Sequence, residues 1–174
     1  LAPTDHEREL TDSGRERIVK SAIVLKRLGV APNVIYSSPR IRAKQTAELI
    51  ADTLEMDIII TEEVNFGFDE TNIKNLVKDL RSRDEVMFVG HNPDMSQIVH
   101  KMTGASVGMK KGGLARIDLV STKVQRGELV WLIAPKVFDA LYGQPDSTDL
   151  QKWLDESEPL TIEDSLGDIA GEDD

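Results

Sequence analysis

A chain of 174 residues, 40% hydrophobic and 30% charged, is long enough to bury a substantial core and reads as one domain. Cysteine is absent, which removes disulfides, thiol catalysis and cysteine-bound metals and is compatible with a reducing cytoplasm. No run approaches the roughly 18 apolar residues of a membrane-spanning helix, and no stretch reads as a secretory signal.

The formal net charge of −10 is unevenly placed. Positions 145–174 hold eleven Asp and Glu against a single base, Lys152, which leaves twenty acids and twenty bases in 1–144. The expected division is therefore a domain over 1–144 and an acidic C-terminal tail over 145–174. Such a tail would repel a duplex, and no basic stripe offsets it, so neither nucleic acid nor a membrane is an expected partner. Within the tail, 149–154 can form a turn of helix through Leu150, Trp153 and Leu154, whereas acidity and small residues beyond Pro159 favour disorder. The tail is either a solubilising appendage or, held near an anion site, a mimic of phosphate.

The first helix is expected to open at Thr11, with Asp12 in its positive first turn and Ile18, Ala22 and Leu25 at helical spacing before the stop at Gly29. Asn33 to Ser37 reads as a short strand. Ser38 then caps a second helix with Pro39 in its first turn, which runs to about Leu54 with Ala43, Ala47, Ile50 and Leu54 as its stripe. Asp57 to Thr61, carrying three consecutive isoleucines, reads as a buried strand. A loop through Phe66-Gly-Phe68 leads to a helix capped by Thr71. Val86 to Val89 is a further strand, Gly90 permits a tight turn, and Pro93 suits the first position of a helix ending near Met102 and Gly104. Leu114 to Val120 and Glu128 to Ile133 read as a hairpin, and Pro135 to Tyr142 as a short helix or irregular segment. Strands alternating with helices predict a three-layer α/β/α sandwich with a mostly parallel central sheet and an antiparallel hairpin at one edge.

Two strand-to-helix turns carry chemistry in comparable places. Arg42 lies in the first turns of the helix after the first strand, and His91 lies in the turn after the Val86 strand. Parallel strands bring both turns to one edge of the sheet, where ligands bind α/β proteins and helix N-termini accept anions. Taken singly, Arg40 and Arg42 are ordinary solvated helix residues and His91 is an ordinary turn residue. Together, an arginine fork and a histidine at converging helix N-termini suit a phosphoryl group, whose transfer depends mainly on positioning and charge stabilisation.

The stretch Ser37-Ser-Pro-Arg-Ile-Arg-Ala-Lys-Gln-Thr-Ala47 resembles the S-x-x-x-R-A-x-Q-T-A motif of the histidine phosphatase superfamily, and Gly90-His-Asn-Pro93 resembles its second-histidine motif. Arg8-Glu-Leu-Thr-Asp-Ser-Gly14 is similar to a segment of the small phosphohistidine phosphatases of the SixA type. The resemblance covers residue 5 to about 135 and implies a phosphoglycerate mutase-like fold. It assigns Arg42 to the phosphate pocket and His91 to holding and polarising the phosphoryl oxygens, with Ser38 and Asn92 also at the substrate. Glu63-Val-Asn-Phe-Gly67 is similar to an E-x-x-F-G segment whose glutamate donates a proton. Glu63 is therefore a candidate general acid, although a solvated loop carboxylate is the plainer reading.

The departure is the nucleophile. The superfamily's Arg-His-Gly triplet, whose histidine takes up the phosphoryl group, does not occur in these residues. His6 lacks the apolar strand and the flanking Arg and Gly, and His100 falls inside a helix, so neither replaces it. The expectation is that the triplet lies on a strand upstream of Leu1, and that a central strand missing from the sheet leaves a gap. The resulting reading is a phosphatase acting on a phosphohistidine protein or a small phosphorylated substrate, without metal or other cofactor. A non-catalytic phospho-ligand binding domain and a small-molecule phosphomonoesterase are the alternatives.

Overall fold

The computed structural model describes residues 7–121 and 126–143, so the expectations for His6, the hairpin tip and the acidic tail fall outside it. The chain divides into two units, Leu1–Gly143 and Gln144–Asp174, and all described residues belong to the first.

Helix α1 spans Asp12–Arg27. Thr11 caps it by accepting the Gly14 N–H at 3.1 Å, Asp12 sits in its first turn, and Lys26 and Arg27 face the negative end of its dipole. Strand β1, Val34–Ser37, leads into α2, Ile41–Leu54, and strand β2, Ile58–Ile60, follows. A single 3₁₀ turn, Glu62–Val64, precedes α3, Glu70–Val77. Strand β3, Val86–Val89, leads into α4, Asp94–Thr103, which ends at Gly104 in the left-handed conformation. Strands β4, Leu114–Ser121, and β5, Arg126–Ile133, form the antiparallel hairpin, and α5 spans Pro135–Tyr142.

The order β2-β1-β3 is parallel throughout, with Val34 beside Val86 and Ser37 beside Val89. Side chains alternate across this sheet, as the two-residue period of a strand requires. Ile35 and Met87 enter one core with Ala22, Leu25, Ala47 and Phe138 from α1, α2 and α5. Tyr36 and Phe88 point the other way, into a second core built on Val64, Phe68, Ile73 and Ile98. Tyr36 and Phe88 stack at 5.8 Å between centroids, and Phe68 tilts against Phe88 at 5.2 Å, so aromatic packing fastens the second face. Helices on both faces of a mainly parallel sheet make the expected mixed α/β fold.

Several local expectations need correction. Arg40, not Ser38, is the N-cap residue of α2, and α2 lacks a side-chain cap hydrogen bond. The Ser38 hydroxyl instead bonds a residue in the turn after β3. Asp69, not Thr71, caps α3 by accepting from the N–H groups of Thr71 and Asn72, while the Asn72 side chain returns the bond to the Asp69 N–H. Pro93 is the N-cap residue of α4, one position before the helix proper. The isoleucines of β2 are not buried as a run: Ile59 is 47% and Ile60 40% exposed. Among the described residues β2 pairs only with β1 and is an edge strand, so composition alone overstated its burial.

The hairpin is a separate two-stranded sheet among the described residues, with no ladder to β3. It joins the cores through side chains, Leu114 and Ile133 against the first and Ile117 against the second.

Candidate active site

The register of β1 and β3 determines where their following turns meet. Ser37 lies beside Val89, and the next residue, Ser38, donates its backbone N–H to the Val89 carbonyl at 3.0 Å. Beyond that bond the chains diverge, one into α2 and the other through Gly90 to His91. His91 is buried, with its Nε2 2.8 Å from the Ser38 Oγ. The Ser38 Oγ also accepts the Arg40 N–H at 3.3 Å, so one hydroxyl joins the start of α2 to the imidazole. Which partner donates in the Ser38–His91 bond depends on the imidazole tautomer.

Arg42 occupies the second position of α2, partly buried, on the turn that Ser38 and Arg40 open. α2 has no side-chain cap hydrogen bond and no acid in its first turn, so the positive end of its dipole is not offset by a carboxylate of its own. Arg42 and His91 are therefore delivered by adjacent parallel strands to the same sheet edge.

A loop from between β2 and α3 closes over this edge. Phe66 meets the His91 ring at 4.8 Å between centroids and 63°, a near-perpendicular contact, and the Arg40 guanidinium lies 3.8 Å from the Phe66 centroid. Arg40 Nε donates to Asn65 Oδ1 at 2.8 Å, and Asn65 Nδ2 donates to Glu62 at 2.8 Å. The Gly67 N–H donates to Asp94 Oδ2 at 2.8 Å, tying the loop to the first turn of α4.

Glu63 lies in the 3₁₀ turn beneath this loop. Its Oε2 is buried and has no hydrogen-bond partner among the described residues, which is costly for an ionised carboxylate oxygen. Neighbouring Val64 is fully buried, and a Cβ on Gly90 would lie 3.2 Å from the Val64 carbonyl oxygen. The Glu63 turn is therefore packed directly against the turn that carries His91.

Asn92 is directed elsewhere. Its Nδ2 donates to the Met109 carbonyl at 2.8 Å, its Oδ1 accepts from the Ser96 hydroxyl at 3.2 Å, and the Met109 N–H donates to that same hydroxyl at 3.3 Å. This ring of bonds holds the loop before β4 to the His91 turn. His100 is remote from these contacts, with Nδ1 3.2 Å from the Ala105 carbonyl oxygen at the far end of α4. Among the described residues no three His, Asp or Glu side chains gather as metal ligands, and no helix is long and apolar enough to cross a membrane.

The family model of the histidine phosphatase superfamily (branch 1) matches residues 4–85. A solved protein histidine phosphatase SixA complexed with tungstate superposes with a TM-score of 0.70 at 21% identity, covering 79% of this chain and 90% of that one. A protein from Agrobacterium tumefaciens assigned to SixA superposes at 0.65 with 25% identity, covering 77% and 88%. The chain resembles the histidine phosphatase superfamily in sequence and in fold. A mycobacterial glucosyl-3-phosphoglycerate phosphatase shares the histidine phosphatase fold at a TM-score of 0.58 and 16% identity, covering 72% and 88%. Two uncharacterised sequence relatives are a Picosynechococcus protein, 28% identical over 76% of this chain and 86% of its own length, and a chloroplastic Arabidopsis thaliana protein, 25% identical over 63%. The match to the Arabidopsis protein spans only 56% of that protein's length.

The motif reading singled out Arg42, His91, Ser38, Asn92 and Glu63, and four others in the cluster were overlooked. Arg40, Asn65 and Ser96 carry no individual motif signal. Only the E-x-x-F-G likeness, in which Phe66 is the fourth residue, drew the right loop toward the site.

Proposed function

We infer that the protein is a phosphatase that removes a phosphoryl group, with phosphohistidine on a protein as the favoured substrate. The observation that carries this reading is the buried His91, bonded to Ser38 at the point where two parallel strands feed α2 and α4. His91 and the fork of Arg42 together would neutralise and orient the phosphoryl oxygens, the main task in phosphoryl transfer. The leading N–H groups of α2 add positive potential on the same side.

In this reaction a histidine nucleophile forms a bond to phosphorus as the bond to the leaving group breaks, and water then hydrolyses the phosphohistidine. His91 is assigned to the phosphoryl oxygens and not to attack, following the motif it resembles. These residues contain no Arg-His-Gly triplet, so the attacking group is not assigned within them. Glu63 is the candidate proton donor to the leaving group, with its Oε2 buried in the turn packed against the one that carries His91. A phosphohistidine substrate lessens that demand, because its imidazole leaves readily once protonated. A protein substrate is favoured because, among the described residues, no inserted domain caps the site.

The test is phosphate release from a phosphohistidine-bearing protein and from a small sugar phosphate, with orthophosphate binding measured in parallel. The expected result is faster release from the protein, with Arg42→Ala and His91→Ala each lowering it by about a hundredfold or more while circular dichroism stays unchanged. Turnover by Arg42→Ala equal to that of the original protein would refute the assignment. Orthophosphate binding without turnover would make the protein a phospho-ligand binding domain, and preference for the sugar phosphate would make it a small-molecule phosphomonoesterase.

A further inference from the structure

Phe66 and Phe68 sit two residues apart and end in opposite surroundings. Phe68 is buried in the second core, whereas Phe66 is 51% exposed beside His91. Between them Gly67 takes a φ of +83°, a turn conformation that glycine adopts without steric cost. The turn is closed by the Phe68 N–H on the Asn65 carbonyl at 3.1 Å. Asn65 Oδ1 also accepts from the Phe66 N–H at 2.9 Å, and the Gly67 N–H donates to Asp94 Oδ2 at 2.8 Å. Hydrogen bonds before and after Phe66 therefore hold its backbone.

The ring is held as well. It meets the buried His91 ring at 4.8 Å and 63°, and the Arg40 guanidinium lies 3.8 Å from its centroid. That guanidinium is itself oriented by the bond from Arg40 Nε to Asn65 Oδ1 at 2.8 Å. A lone apolar side chain on a surface is ordinary. A ring braced by a cation and an imidazole, with half of its residue in water, is a preformed apolar contact next to the group assigned to the phosphoryl oxygens. Phe66 also follows Glu63, the candidate proton donor to the leaving group, on one short segment.

We propose that Phe66 is a specificity-determining residue that packs against the leaving group, selecting substrates whose leaving group is a flat ring, such as imidazole or phenol, over alkyl esters. The proposal rests on the phosphatase reading and names a leaving-group class for it. A flat ring laid against Phe66 removes apolar surface of both from water and gains the offset or edge contact that aromatic pairs prefer. An alkyl group brings apolar area without that geometry. Because Phe66 is already held, little ordering is needed on binding. The preference is for ring over chain whatever the acidity of the leaving group, which separates Phe66 from a proton donor such as Glu63.

The experiment uses the full chain with Phe66→Leu and Phe66→Met, which keep apolar bulk without a ring, and Phe66→Tyr, which keeps the ring. It compares kcat/KM for phenyl phosphate with that for a fluorinated alkyl phosphate whose alcohol matches phenol in acidity. In parallel, calorimetry gives the affinities of phenylphosphonate and methylphosphonate, and Tm reports folding. The original protein is expected to favour the phenyl member of each pair by about tenfold. Phe66→Leu and Phe66→Met should each reduce that ratio about fivefold with Tm nearly unchanged, and Phe66→Tyr should keep it within about twofold. No phenyl preference in the original protein, or an equal one in the ringless variants, would overturn the proposal and leave the phosphatase reading standing. Loss of the preference in Phe66→Tyr as well would also overturn it. The phosphonates need no turnover, so they decide the proposal even where both esters react slowly. An original protein that binds neither phosphonate nor orthophosphate and hydrolyses neither ester would overturn both readings.

Discussion

The Nε2 of His91 and the Oγ of Ser38 lie 2.8 Å apart although 53 residues separate them in the chain. Ser38 is fully buried and its hydroxyl serves both the imidazole and the Arg40 N–H. A buried polar atom with two partners is a restraint, because losing it strands both of them.

Ser38→Ala leaves the His91 ring without its partner at Nε2 and the Arg40 N–H without its acceptor. The expected outcome is a loss of roughly 1–2 kcal/mol in stability, as for a broken buried hydrogen bond, together with a fall in kcat of about tenfold or more. Urea denaturation and phosphate-release kinetics on one preparation check both parts. Unchanged kinetics would show that the imidazole does not depend on this hydroxyl.

Glu63→Gln separates a proton donor from a buried bystander. With a donor removed, substrates with poor leaving groups suffer most, so an alkyl phosphate should slow by about a hundredfold while p-nitrophenyl phosphate changes little. The comparison is one of kcat/KM across leaving groups of graded basicity. Equal slowing for all of them, or none, would remove Glu63 from the mechanism.

Gly90→Ala tests the fit between the His91 turn and the Glu63 turn. A Cβ there would overlap Met95 Cε and lie 3.2 Å from the Val64 carbonyl oxygen and 3.3 Å from Val64 Cγ1. Met95 can swing away, but the Val64 backbone belongs to a fully buried residue and cannot. The expected cost is about 1–3 kcal/mol from overpacking, with a parallel loss of activity as His91 shifts. Thermal unfolding and kinetics would show it, and a substitution neutral in both would mean the two turns are less closely packed.

Glu70 gives a pH dependence whose sign follows from its contacts. Its carboxyl is held below the usual carboxylate range, first by a bond from its own backbone N–H and then by Lys101, whose Nζ lies 3.0 Å away. A carboxylate with a lowered folded pKa stabilises fully above its unfolded value of about 4.3 and loses that contribution as pH falls through the folded value. Tm should therefore fall less steeply with acid in Glu70→Gln than in the original protein, by a small margin because the pair is exposed and salt-screened. Tm-against-pH curves that keep a constant separation from neutral pH down through the acid range would contradict this.

Much of the fold was legible in the sequence, because the signals involved are local. The Thr11 cap, the period of Ile18, Ala22 and Leu25, the Gly104 stop and the apolar Val86 run each act within a few residues and yielded helices or strands in place. The parallel pairing of β1 with β3 follows from the alternation of strand and helix between them, so the meeting of the Arg42 and His91 turns at one edge was also foreseeable. The motif resemblance to the histidine phosphatase superfamily was legible too, because spacing within Ser37–Ala47 and Gly90–Pro93 is itself local.

Tertiary packing decided the rest. The three isoleucines of β2 have the composition of a central strand, but having a single neighbour leaves Ile59 and Ile60 in water. Ser38 looks like a helix cap in sequence, and only the approach of β3 gives its hydroxyl a buried imidazole to bond. The contacts among Arg40, Asn65, Phe66 and His91 join three separate segments, and nothing within any one segment specifies the others. Periodicity and capping energies act along the chain, so they determined which elements form and in what order. The burial of His91 and its contacts with Ser38 and Phe66 depend on which surfaces meet, and only the folded chain brings those surfaces together.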